Sequence, residues 1–186
     1  MKTTKEKNKK ISTSTMAVVA LMTAVLCVLS PFSIPIGPIP ISLATFGLYL
    51  TIIILGRKRA VMVCLMYLLM GAIGLPVYSG FSGGFARLFG PTGGYLFGYL
   101  LLTIIAGFIV DNFPQNLYLC GLGLVIGTVC CYLLGTIWLA YQMEIRFVEA
   151  LVIGVIPFLI GDIVKILTAL WTGMTIKRRM KGILKF

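Results

Sequence analysis

Apolar positions along the chain come in long, nearly uninterrupted runs. A lysine-rich start, MKTTKEKNKK, gives way to an apolar stretch from Met16 to Leu29. Further runs cover Leu43–Leu55, Ala60–Gly74, Tyr95–Val110 and Leu117–Ala140; a last one begins between Ala150 and Phe158 and ends near Met174. Each run predicts a helix, and the segments between them carry the breakers. PFSIPIGPIPIS (Pro31–Ser42) holds four prolines, which remove backbone donors and fix φ, so it predicts an extended loop. Gly56 and the triplet Arg57-Lys58-Arg59 end the second run. Leu75–Gly94 is rich in glycine, with two prolines and one arginine, and predicts another loop. Asp111-Asn112-Phe113-Pro114 turns the chain after the fourth helix, and Gln142–Glu149 reads as the connection before the sixth.

Composition names the solvent. Hydrophobic residues make up 59% of the 186 and charged ones only 11%. A soluble domain carries roughly 45–50% apolar and about 25% charged residues. Too little polar side chain remains to cover a surface facing water, so most of the chain meets lipid. Six spans of roughly 20 residues, each crossing about 30 Å of hydrocarbon, leave only short loops and tails. The expected fold class is all-α integral membrane with six transmembrane helices. It forms a single membrane domain over 1–186: a basic tail at 1–15, a six-helix bundle at 16–174 and a second basic tail at 175–186. Ser30-Pro31 and the loop beyond it show no small-residue cleavage site, so the first helix is read as retained, not as a signal peptide.

The net charge of +11 would suggest nucleic acid in a soluble protein. Here the cations flank apolar runs, where membrane orientation and anionic lipid account for them better. Five lie in the N-terminal tail, three at Arg57–Arg59 and five from Lys177 to Lys185, thirteen of the sixteen. Arg87 and Arg146 lie in loops of the opposite side, and Lys165 lies within the sixth helix. The bias predicts that both termini are cytoplasmic and that the proline-rich and glycine-rich loops face outward. The five cysteines sit in apolar stretches without a histidine anywhere in the chain, which argues against a zinc site or a disulfide framework.

Candidate chemistry is sparse. Asp162 and Lys165 stand three residues apart on one helix and so share a face. An ionisable group at mid-membrane costs at least roughly 2.5–3.5 kcal/mol, which is tolerated when such groups pair or face a wet cavity. Pro157 suits the first turn of a helix, which places Asp162 one to two turns below the outer surface. One reading is a structural ion pair locking helices. The favoured one is that Asp162 accepts hydrogen bonds from a ligand's N–H groups while Lys165 balances charge. Arg87, among Tyr78, Phe81, Phe85 and Phe89, is suited to holding a carboxylate, with lipid-headgroup contact as the alternative. The glycines of SGFSGGFARLFGPTGGY lack the G-x-x-x-x-G-K-[ST] spacing of a phosphate cradle. Ala20 and Ala24 form a small-xxx-small pair on the first helix, a weak signal for docking on another membrane protein. A membrane enzyme using Asp162 and Lys165 as acid and base is a poorer reading, because histidine, an activated nucleophile and a metal-binding carboxylate cluster are all missing.

Four segments, PIGPIPIS (Pro35–Ser42), GAIGLPVYSGFSGG (Gly71–Gly84), GPTGGYLFGY (Gly90–Tyr99) and PFLIGDIVK (Pro157–Lys165), resemble the BioY family in order over nearly the whole chain. Members are the substrate-binding components of energy-coupling-factor biotin transporters. The resemblance implies six transmembrane helices with a cavity near the outer surface, and the loop around Pro35, Ile36, Gly37 and Pro38 acting as a lid. It implies that Asp162 and Lys165 hold part of biotin, with Thr45 in the same set, and that Tyr78, Ser79 and Arg87 close the site. It further implies that Ala20 and Ala24 dock on a transmembrane coupling subunit driven by two ATP-binding-cassette ATPases. The expected partners are thus biotin, membrane lipid and that module, with no nucleic acid, no metal and no cofactor of its own, in a bacterial cell membrane. Ile160 stands where proline commonly precedes Gly-Asp in the family, and Ala44 where glutamine is common; neither alters the Asp–Lys spacing. The nearest alternative keeps the architecture and binds another vitamin or small carboxylate.

Overall fold

A computed structural model describes residues 13–35 and 39–180. The N-terminal lysines, Ile36, Gly37 and Pro38 of the expected lid, and Lys181 and Lys185 lie outside the described residues. The chain runs through α1 (Thr13–Leu29), a hairpin of β1 (Ser33–Ile34) and β2 (Ile41–Ser42), then α2 (Ala44–Leu55), α3 (Arg57–Ala72) and the one-turn α4 (Phe85–Leu88). It continues through α5 (Gly93–Asn112), α6 (Leu117–Met143), α7 (Phe147–Gly154) and α8 (Ile156–Met180). Three of these, α5, α6 and α8, are long and apolar enough to cross a membrane, while α1 and α2 are shorter apolar helices.

Several boundaries differ from the sequence reading, each for a physical reason. The basic triplet at 57–59 is the first turn of α3 and not a loop. Asp111, at the end of α5, accepts the Arg57 backbone N–H through both carboxylate oxygens at 3.2 and 3.1 Å. A carboxylate borrowed from another helix thus caps an N-terminus whose own cap, Gly56, has no side chain. The proline-rich segment closes as an antiparallel hairpin pairing Ser33 with Ser42 and Ile34 with Ile41. The glycine-rich segment is not all loop: it contains α4 and a bridge between Tyr78 and Ser82. Beyond α6, the expected connection is short, because α7 already begins at Phe147. α8 continues past Met174 to Met180, its last turn carrying Lys177, Arg178 and Arg179, cations that complement the negative helix end.

The core lies around α2, which packs on α8, α3 and α5. Leu48, Tyr49, Ile52 and Ile53 of α2 are wholly buried. Its 12 residues rise only about 18 Å, and neighbouring helices bury nine of them. α5 lies close on α6 because glycine stands at the contact: a Cβ on Gly98 would fall 2.7 Å from the Cys131 sulfur. Outward faces of α6 and α8 remain apolar, with Leu122, Ile137, Ile160 and Trp171 exposed, as expected where lipid is the solvent.

Polar groups inside are paired. Tyr49 and Thr128 hydroxyls meet at 2.7 Å, and Thr51 donates to the Gly47 carbonyl at 2.7 Å. Among the described residues, no buried side-chain nitrogen or oxygen lacks a hydrogen-bond partner. That satisfaction is what hydrocarbon demands, since water is not there to supply the missing bond.

Candidate functional site

At the hairpin end of the bundle two hollows share a wall of Ile39, Pro40, Tyr95 and Tyr99. The deeper, of about 440 Å³, reaches Thr45, Tyr132, Asp162 and Lys165. The shallower, of about 410 Å³, is bounded by Tyr78, Ser79, Ser82 and Arg87.

Asp162 and Lys165 are brought together from one turn of α8. The ammonium lies 2.9 Å from Asp162 Oδ1, and both side chains are nearly buried, 7% and 12% exposed. Lys165 Nζ also donates to the Ser42 carbonyl at 2.8 Å and to Thr45 Oγ1 at 3.1 Å. An ammonium has three N–H donors, and here all three have protein acceptors. Lys165 therefore serves mainly to tie α8 to the end of the hairpin and the start of α2.

Asp162 differs. Oδ1 accepts from Lys165 and, at 3.4 Å, from the Thr45 hydroxyl, while Oδ2 accepts from the Tyr132 hydroxyl. A carboxylate offers about four acceptor positions, so Asp162, which lines the deeper hollow, keeps capacity for one more donor. A fixed, negatively charged acceptor beside a partly apolar cavity is suited to an N–H of a small organic ligand. Tyr132 and Asp162 also line an apolar groove of about 740 Å³ between α6, α7 and α8. Their hydrogen bond stands between the deeper hollow and that groove.

Each residue expected from the sequence can now be located. Thr45 joins the Asp162–Lys165 pair directly. Tyr78 and Ser79 border the shallower hollow, but the Tyr78 hydroxyl is committed to the Leu68 carbonyl at 2.6 Å and its ring packs edge-on against Tyr67. Burial pushes the Tyr78 phenol up to about 12, so Tyr78 contributes a wall, not a titrating group. Arg87, exposed on α4, has no ion pair or hydrogen-bonding partner of its side chain among the described residues, and it faces the mouth of the shallower hollow. Pro35 is exposed at the tip of the hairpin. Ala20 and Ala24 both lie on the exposed face of α1, remote from the two hollows.

Sequence reasoning missed Tyr132, Tyr95 and Tyr99. A tyrosine inside an apolar span carries a hydroxyl that must find a partner when buried, a signal that says a polar contact exists without saying where. The Tyr95 hydroxyl, for example, donates to the Gly154 carbonyl at 3.2 Å, pinning α7 to α5.

Comparison with known proteins places this geometry in a family. A sequence model of the BioY family matches residues 3–182. A probable biotin transporter BioY of Pyrococcus horikoshii is 39% identical over 166 residues, covering 89% of this chain and 95% of the relative. The biotin transporter BioY of Thermotoga maritima is 35% identical, covering 85% and 92%. Among solved structures, the S-component for biotin from an energy-coupling-factor type ABC transporter superposes with a TM-score of 0.83 at 29% identity, covering 89% of this chain and 91% of that one. A match that spans almost the whole length, with relatives this similar and the same helical arrangement, assigns the protein: the chain belongs to the BioY family.

Proposed function

We propose that this chain is the biotin-binding component of an energy-coupling-factor uptake transporter. The observation that carries the reading is Asp162, buried and paired, lining a partly apolar hollow together with Lys165 and Thr45, in a chain of this family. Biotin has ureido N–H donors at one end and a carboxylate at the other. Asp162 is suited to the first and Arg87 to the second, with Tyr95, Tyr99, Ile39 and Pro40 as the apolar wall between them. The protein acts as a multi-pass membrane transport component and not as an enzyme.

The finer reading completes the assembly. Residues 1–186 form one domain with six spans, both termini cytoplasmic, in a bacterial cell membrane. The hairpin is the lid, opening outward. Ala20 and Ala24, small and exposed on α1, are the docking surface for a transmembrane coupling subunit, and two ATP-binding-cassette ATPases supply the energy. Close backbone approach at small residues is what drives helix association in lipid.

Equilibrium titration of the purified, detergent-solubilised protein with biotin tests the function. Saturable binding is the expected result, and mass spectrometry of small molecules that copurify would expose a different vitamin if biotin fails to bind. Topology is checked separately. Single cysteines at Ser82 and Glu144 are expected to react with an impermeant thiol reagent from outside intact cells; labelling only after permeabilisation would overturn the orientation.

A further inference from the structure

We propose that Phe81 is a retaining latch for the ligand, a positioning residue whose ring fastens the hairpin to the glycine-rich loop and so slows release. The role in ligand retention rests on the reading of the hollows as a biotin site; the fastening itself does not.

The starting observation is a backbone outlier. Tyr78 and Ser82 exchange backbone hydrogen bonds at 2.9 and 3.3 Å and close a three-residue loop, Ser79-Gly80-Phe81. Gly80 and Phe81 in that loop both have positive φ, +70° and +53°. Glycine accepts that conformation freely, but a bulky residue brings its Cβ against the following carbonyl. The other non-glycine residue of this kind among those described, Glu144, ends α6 as a left-handed cap, an ordinary position for one. Phe81 ends no helix. Outliers held by their surroundings concentrate at ligand clamps and switches.

The conformation directs the side chain across the gap between the two loops. The Phe81 ring meets Phe32 of the hairpin edge-on, with centroids 5.7 Å apart and planes at 74°, a favoured aromatic geometry. Beside it, the Gly80 N–H donates to the Pro31 carbonyl at 3.0 Å. The two segments joined in this way are the ones that wall the shallower hollow: Ile39 and Pro40 from the hairpin, Tyr78, Ser79 and Ser82 from the glycine-rich loop. Core burial does not explain the arrangement, since Phe81 is 63% and Phe32 54% exposed. For the hollow to open by movement of the hairpin, this contact must break first.

Substitution separates the ring from the strain. Phe81→Gly removes the ring while relieving the left-handed backbone, Phe81→Ala removes the ring and keeps the strain, and Phe81→Tyr keeps both. Labelled-biotin dissociation is expected to be about fivefold faster in the glycine and alanine variants, within the range one aromatic pair supplies, without slower association, and near wild type in the tyrosine variant. Ligand-free hydrogen exchange gives a second readout: amides of residues 31–34 and 78–82 should exchange faster in the glycine variant, although its backbone is relaxed. Unchanged exchange in that variant, or unchanged dissociation in both ring-less variants that bind biotin, would overturn the latch. If the wild type binds no biotin, the functional reading fails, while hydrogen exchange still decides whether Phe81 fastens the loops.

Discussion

Asp162→Asn is expected to weaken biotin binding about thirtyfold, the equivalent of roughly 2 kcal/mol for a lost charge-assisted hydrogen bond. The same substitution should also lower stability, because the Lys165 ammonium, 12% exposed, would lose its neutralising partner at 2.9 Å. Removing one member of a buried pair costs more than removing both. The double variant Asp162→Asn with Lys165→Met should therefore regain much of the thermal stability while affinity stays low. Isothermal titration and thermal unfolding in the same detergent measure the two effects apart. Full recovery of affinity along with stability would mean that the carboxylate serves only to neutralise the lysine and never meets the ligand.

Arg87→Gln comes next in size. Arg87 is exposed and carries no protein partner among the described residues. Solvent screening therefore puts its charge-assisted bond to a carboxylate near the low end, about 1.5 kcal/mol or roughly tenfold in affinity. The informative comparison is biotin against its amide, which keeps the shape and loses the charge. Wild-type protein should discriminate against the amide by about the factor that Arg87→Gln costs for biotin, and the variant should bind both alike, as a thermodynamic cycle requires. Equal losses for acid and amide would place Arg87 away from the carboxylate end. Arg87→Lys should recover only part, since an ammonium lacks the planar fork that grips two oxygens.

Much of the fold was legible because each long apolar run declares a helix by itself. The errors cluster where ends are set by remote groups or where a break leaves no mark in composition. α3 begins early because Asp111, 54 residues on, caps it. α7 and α8 meet at Val155, whose φ of −128° and ψ of −51° break the helix within a stretch that is apolar on both sides. No periodicity distinguishes one bent helix from two when every position is greasy. The hairpin was legible only as extended chain, since pairing depends on where its two ends are held.

The candidate site divides in the same way. By itself the sequence determined that an acid and an amine share a turn of a membrane helix, because helical spacing and the cost of charge in lipid leave few other arrangements. It likewise determined that lipid is the solvent and that one arginine is set apart in a glycine-rich segment. Only the tertiary structure decided that Lys165 spends its three donors on Asp162, Ser42 and Thr45. It also decided that Tyr132 steadies the carboxylate from α6 and that Phe81 reaches Phe32. Apart from the Asp162–Lys165 pair, those contacts join residues 30 to 123 positions apart, and the geometry that makes them is set by how whole helices pack, which no local pattern encodes.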